Sequence, residues 1–319
     1  MKKLAFLFPG QGAQYPGMGK DFNDAFAVSR EIFEEADDLL GENLSKIIFE
    51  GPEPLLTQTK NSQTAIFVTS IAILRALQQQ FPELYPFLCS GLSLGEYTAL
   101  CASHRLNFAD TLLLVRERAR LMNEACEQVP GIMAAVLGLD AVSIESAVQD
   151  LKRQGLQGVW VANYNAPGQT VISGTKDGIE KAGAVLKEKG AKRVIPLTVH
   201  GAFHSGLMQS AQDGLAPWIE KASLQDSEIA FVMNVPGDFA KILPEIRKNL
   251  INQVTQSVRW EQGIEATKSC GIELYLEIGC GKTLAGLNKK IGAFAPTLSI
   301  DKIADLDELA KQLESLAKV

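Results

Sequence analysis

The sequence predicts an α/β fold, a mostly parallel sheet with helices on both faces, carrying an inserted ferredoxin-like α+β subdomain. Three observations carry this. Short apolar runs alternate with amphipathic helical stretches over most of the 319 residues, as in a parallel sheet buried on both faces. One run, residues 85–90, passes through Gly91-Leu92-Ser93-Leu94-Gly95 into a helical stretch at 97–102, the strand–turn–helix of a nucleophile elbow. From residue 130 the order becomes β-α-β-β-α-β, a split unit that closes on itself.

The elements follow in order. Residues 4–8 read as a strand running into Pro9-Gly10-Gln11-Gly12-Ala13-Gln14, where two glycines imply backbone passing close to something. Their spacing is not the dinucleotide fingerprint. Residues 21–40 have helical periodicity (Phe22, Phe26, Ile32, Phe33, Ala36, Leu39, Leu40) that stops at Gly41. After a loop marked by Pro52 and Pro54, residues 62–80 form a helix with Ile66, Ile71, Leu74 and Leu77 on its buried side. Asp110 is the expected cap of a helix at 111–127 carrying Arg116, Arg118 and Arg120. Then come a strand at 132–139, a helix at 142–154, strands at 159–164 and 169–173 joined by Pro167-Gly168, a helix at 176–189 and a strand at 192–199. The alternation resumes with a helix at 205–222, a strand at 229–235, a helix at 244–255, a strand at 272–278, a helix after Lys282, a strand at 297–300 and a helix at 306–316. The expected division is a large α/β hydrolase-like subdomain (1–127 and 201–319) and a small ferredoxin-like one (128–200).

Composition excludes several classes. The net charge of −6 argues against nucleic acid as the main partner. An odd count of five cysteines without paired spacing is neither a disulfide framework nor a zinc site. The first apolar run ends at Phe8 without a cleavage site, and no stretch approaches the roughly 20 apolar residues of a membrane span. A cytoplasmic protein with no membrane partner is the expectation.

A serine nucleophile needs a base, and the chain has three histidines, His104, His200 and His204. His104 lies just past the elbow helix. The other two fall at the seam where the inserted unit hands back to the sheet, a natural place for a cleft. In ordinary α/β-hydrolases an acid and then a histidine follow the serine; here no acid stands out as a third member.

In this order along the chain lie Phe8-Pro-Gly-Gln-Gly-Ala-Gln14, Gly91-Leu-Ser-Leu-Gly-Glu-Tyr97, Arg116-Glu-Arg-Ala-Arg-Leu-Met122, Asn163-Tyr-Asn-Ala-Pro-Gly-Gln169, Gly201-Ala-Phe-His-Ser205, Asn252-Gln-Val with Val258-Arg-Trp260, and Glu277-Ile-Gly-Cys-Gly-Lys282. Together they resemble the malonyl-coenzyme A:acyl carrier protein transacylases of bacterial fatty acid synthesis over nearly the whole chain. The resemblance implies Ser93 as nucleophile and His204 as base, with Gln253 the candidate for the backbone carbonyl or amide that orients the histidine. It implies an oxyanion hole from the backbone N–H groups of Gln11 and Leu94, and Arg118 as partner of the malonyl carboxylate, which a guanidinium fork suits. Asn163 and Asn165 become possible substrate contacts. Arg116 and Arg120 remain solvated helix residues. The implied reaction is a two-step exchange through a malonyl-serine ester, with malonyl-coenzyme A and acyl carrier protein as partners, no metal or bound cofactor, and a monomer as the family default. An acidic carrier needs a basic landing patch, and Lys187, Lys189, Lys192 and Arg193, or Lys282, Lys289 and Lys290, are the candidates. Two positions depart from the family pattern. Leu92 replaces a usual histidine, which bears on acyl selectivity or rate, and His200 stands where serine is common. A serine thioesterase or esterase on a similar sheet, and an inactive acyltransferase-like binding module, are the alternative readings.

Overall fold

The computed structural model describes residues 2–199 and 201–317. Its strands, in chain order, are β1 (Leu4–Phe8), β2 (Pro86–Gly91), β3 (Ile132–Leu137), β4 (Val159–Ala166), β5 (Gln169–Gly174), β6 (Arg193–Pro196), β7 (Ala230–Met233), β8 (Asp238–Ala240), β9 (Val258–Arg259), β10 (Leu274–Ile278) and β11 (Thr297–Ile300). They make two sheets. The larger has the order β11-β10-β1-β2-β7-β8, parallel except for the antiparallel edge strand β8. Every residue of β1 is buried, as expected of a central strand covered on both faces.

The smaller sheet has the order β6-β3-β5-β4-β9. Its first four strands pair antiparallel and enclose a core of their own, which includes Val136, Ile144, Val148, Ile172, Ile179 and Leu186. The expectation that this unit closes on itself is corrected. β9, from beyond the chain's return, adds to β4 in parallel through Asn163↔Val258 and Tyr164↔Arg259. Two residues are too short to show a strand period.

Several helices differ from their expected form. The 21–40 stretch breaks at Phe26 into Lys20–Ala25 and Ala27–Leu40; both parts face the same core, so the apolar period runs on across the break. The next long helix, Thr59–Gln80, is buried on nearly every face because it lies between Ala27–Leu40 and Phe108–Gln128. Its buried set therefore includes Ser62, Gln63, Thr64, Thr69 and Ser70 as well as the expected apolar positions. The Phe108–Gln128 helix is capped by Asn107, whose side chain accepts from the Asp110 N–H at 2.8 Å. The expected cap, Asp110, sits in the first turn, where its carboxylate accepts from the Asn107 amide at 2.8 Å. Sequence periodicity also passes over the short helices Leu44–Glu50, Glu53–Leu56 and Trp260–Thr267.

Candidate active site

The serine turn projects from the carboxyl end of β2, in the middle of the large sheet. Glycine was expected here to permit a sharp turn. The residue that turns is Ser93 itself, at φ 52°, while Gly91 and Gly95 avoid positive φ. The glycines serve close approach: a Cβ on Gly91 would stand 2.0 Å from the Gly95 carbonyl, and one on Gly95 would stand 2.1 Å from the Phe8 oxygen. A left-handed non-glycine costs about 1–3 kcal/mol and persists only where the surroundings hold it. Asn234, the residue after β7, holds this one: its Oδ1 accepts from the Ser93 N–H at 2.6 Å and its Nδ2 donates to the Gly91 carbonyl at 2.8 Å.

His204 meets the serine from the return loop, with its Nε2 2.8 Å from Ser93 Oγ. Its Nδ1 lies 2.7 Å from the backbone carbonyl of Gln253. A carbonyl only accepts, so Nδ1 carries the proton and Nε2 is free to take one from the hydroxyl. The ring is buried, at 4% exposure. Burial, then the nearby Arg118 charge, pull its pKa down to about 4, against the hydrogen bond to Gln253. The imidazole is thus neutral, the state a general base requires.

Arg118 reaches the same point from the Phe108–Gln128 helix. It is fully buried, at 0% exposure. One terminal nitrogen donates to Gln63 Oε1 at 2.5 Å; the other donates to Gln253 Oε1 at 2.9 Å and to Ser93 Oγ at 3.2 Å. Its guanidinium stands 5.3 Å from the centre of the Tyr97 ring. No ion pair among the described residues includes it. A buried cation with no carboxylate in ion-pair contact is strained, and burial lowers its pKa against the nearby Tyr97 and Glu96. Arg116 and Arg120 point elsewhere: Arg116 is exposed and donates to the Leu40 carbonyl, and Arg120 pairs with Glu117 and Glu124 at the surface.

The Gln11 loop is brought against the turn by Gly10, where a Cβ would stand 2.5 Å from the Leu92 oxygen. Among the described residues, neither the Gln11 nor the Leu94 backbone N–H donates to a protein acceptor. Leu94 is the residue that opens the elbow helix Gly95–Ala102, where backbone N–H groups gather positive potential.

A strained serine, a neutral imidazole and two N–H groups unclaimed among the described residues are parts that acyl transfer calls for, and the family model for the acyl transferase domain matches residues 5–280. The chain belongs to the acyl transferase family. It is 41% identical to the malonyl CoA-acyl carrier protein transacylase of Bacillus subtilis, over 94% of both chains. An acyl-carrier-protein S-malonyltransferase structure from Bartonella henselae has a TM-score of 0.91 at 37% identity, covering 98% of this chain and 99% of that one. A malonyl-transacylase solved in complex with a type II PKS acyl-carrier protein has a TM-score of 0.90 at 37% identity, covering 96% of this chain and 98% of that one.

Three further side chains complete the cluster in this acyl transferase, and sequence reading had given none of them a role. Asn234 holds the turn, Gln63 accepts from Arg118, and Glu96 lies fully buried and accepts from Asn234 and Gln253. Glu96 stands inside the elbow motif, and a carboxylate in an otherwise apolar helix was the available signal. Asn234 and Gln63 gave none.

Asn163 and Asn165 lie on β4, at the irregular register that also receives β9. Among the described residues neither hydrogen-bonds to Ser93, His204 or Arg118, and Asn165 Oδ1 is buried without a partner. His104 is exposed past the elbow helix. His200 lies outside the described residues. Leu92 packs against the sheet core rather than joining the polar cluster. A cavity of about 800 Å³ is lined in part by Gln58, Lys60, Asn123 and Val199, and none of Ser93, His204, Arg118 or Gln11 is in its lining. No group of potential metal ligands occurs among the described residues.

Proposed function

We propose that the chain transfers a malonyl group from malonyl-coenzyme A to the phosphopantetheine thiol of acyl carrier protein, supplying fatty acid chain elongation. The intermediate is a malonyl ester of Ser93. His204 Nε2 takes the hydroxyl proton while Oγ adds to the thioester carbonyl, and the oxyanion rests on the Gln11 and Leu94 N–H groups. Collapse expels the coenzyme A thiolate, which takes the proton back from His204. The carrier thiol then reverses the sequence on the ester. Water has to be excluded while the ester stands. The role of Gln253 is twofold: its carbonyl orients His204, and its amide fixes Arg118.

The observation that carries the substrate class is Arg118. Its buried guanidinium reaches Ser93 Oγ at 3.2 Å and lacks an ion-pair partner among the described residues. An acyl group ending in a carboxylate supplies the missing anion, and an uncharged acyl group does not. Asn163 and Asn165 are offered as contacts for the remainder of the substrate, Asn165 with its unpartnered Oδ1.

The chemistry calls on no metal or bound cofactor. A monomer is proposed. Residues 1–127 with 201–319 form the large subdomain in this reading and 128–200 the small one, the site lying between them. No helix among the described residues is long and apolar enough to cross a membrane, and we assign the protein to the cytoplasm. Lys187, Lys189, Lys192 and Arg193 are all exposed and absent from the ion pairs among the described residues, whereas Lys282 lies 3.7 Å from Asp305 and Lys290 donates to Gln169. The first cluster is the better landing patch for an acidic carrier.

Intact mass after brief mixing with malonyl-coenzyme A tests the reading, beside acetyl-coenzyme A and a Ser93→Ala control. A malonyl adduct on the wild type alone, discharged by carrier protein and weak with acetyl, is expected. Steady release of free malonate without carrier would instead indicate a hydrolase.

A further inference from the structure

We infer that Glu96 is a positioning residue for this site, its buried carboxylate holding the turn that carries Ser93 and the Gln253 segment that orients His204 in register. The inference rests on the acyl-enzyme reading above and adds to it a residue that touches no substrate. Glu96 lies in the first turn of the elbow helix, at 0% exposure. One carboxylate oxygen accepts from the Asn234 N–H at 2.6 Å, and the other from Gln253 Nε2 at 2.8 Å.

Each of those partners already works on the reacting groups. Asn234 uses its side chain to hold the Ser93 N–H and the Gly91 carbonyl. Gln253 donates from the same Nε2 to the Ser93 carbonyl at 2.8 Å, accepts from Arg118 on its Oε1, and accepts from His204 on its backbone carbonyl. The elbow, the end of β7 and the segment after the helix Leu243–Asn252 are remote in sequence, and all three meet on this one carboxylate.

The chemistry of the meeting selects a carboxylate. Two N–H donors converge, and only a group with two accepting oxygens serves both. A glutamine would turn an NH₂ toward one of the donors, and an aliphatic residue would leave both donors buried without a partner. Burial works against the charged form of Glu96, and the Asn234 N–H, the Arg118 charge and the Gln253 amide favour it.

The test is the rate at which phenylmethylsulfonyl fluoride modifies Ser93, followed by intact mass well below the melting temperature of each variant. This probe carries no carboxylate and makes no call on Arg118. In Glu96→Gln, sulfonylation and kcat are each expected to fall about tenfold or more, with KM for malonyl-coenzyme A within about threefold and labelling still complete. Glu96→Asp, which keeps both acceptors but withdraws them by one methylene, should show an intermediate loss. A folded Glu96→Gln that melts lower yet keeps the wild-type rates would overturn the inference and leave Glu96 a stability residue. If that variant does not fold, Glu96→Asp decides by the same rates, a wild-type value overturning the inference and a loss supporting it. A wild-type chain that the probe leaves unlabelled at Ser93 would remove the acyl-enzyme reading, and this inference with it.

Discussion

The serine turn and the histidine loop place their reacting atoms 2.8 Å apart, and both do so from left-handed backbone, φ 52° at Ser93 and 56° at His204. They are secured differently, although the Asn234 side chain bridges the serine turn as well. Backbone lies against backbone in the serine turn, which is close enough that Gly91 and Gly95 admit no Cβ. Side chains hold the histidine loop: Ala202 and Phe203 are buried, Ser205 Oγ donates to the Ala202 carbonyl at 2.6 Å and accepts from the Leu207 N–H at 3.2 Å. The imidazole is then aimed by a carbonyl 49 residues away. The serine is placed by close backbone and the Asn234 side chain, the imidazole by a carbonyl its neighbours cannot supply.

Substitution of the base tests one side of that contrast and gives the largest effect. His204→Ala should cost on the order of a thousandfold or more in the rate of Ser93 acylation, with the fold kept, as followed by stopped-flow release of coenzyme A. The other side is Gly95→Ala, which puts a methyl into the Phe8 carbonyl and should lower stability by about 3 kcal/mol in urea unfolding. A neutral result there would mean that the turn slides, and the contrast would fail.

Gln253→Ala sharpens the comparison, because the backbone carbonyl that aims His204 survives the change. Activity with malonyl-coenzyme A should fall about tenfold or more through loss of the charge-assisted bond to Arg118 and of the amide bonds to Glu96 and the Ser93 carbonyl. The acid limb of the pH profile should stay where it was.

That limb is the smallest effect and the most specific to the histidine loop. With the folded pKa of His204 held down at about 4, kcat/KM should hold well below pH 6.5 and decline only as pH nears 4. The unfolded chain, titrating near 6.5, binds the proton more readily in that window. The contribution of His204 to stability is therefore complete above 6.5 and is lost as pH falls toward 4. In His204→Gln the stability profile should flatten over the same range.

The two regions also differ in how far they could be read in advance. Gly91-Leu-Ser-Leu-Gly95 spells out its own geometry, since the excluded Cβ atoms lie within a few residues or on the adjoining strand. His204 was legible only through its place in an ordered set of motifs. Its aiming group is a main-chain carbonyl, which every residue carries and no side-chain pattern marks. Asn234 and Gln63 carry no mark for a related reason: Asn234 is one polar residue in an apolar stretch and Gln63 one of a polar run at a helix start, and each is given meaning by a contact across more than 50 positions.

By itself the sequence determined the alternation of strands and helices, the small inserted unit and the place of the serine turn, because apolar period and glycine sterics act over short spans of chain; that Ser93 and not a glycine takes the left-handed backbone was decided by the structure. Tertiary structure alone decided that Thr59–Gln80 is buried on nearly every face, that β9 joins the small sheet, and that Glu96, Asn234, Gln253 and Arg118 form one buried polar network. Those features depend on which remote groups share a low-dielectric space. Burial is what makes each hydrogen bond there costly to leave unmade.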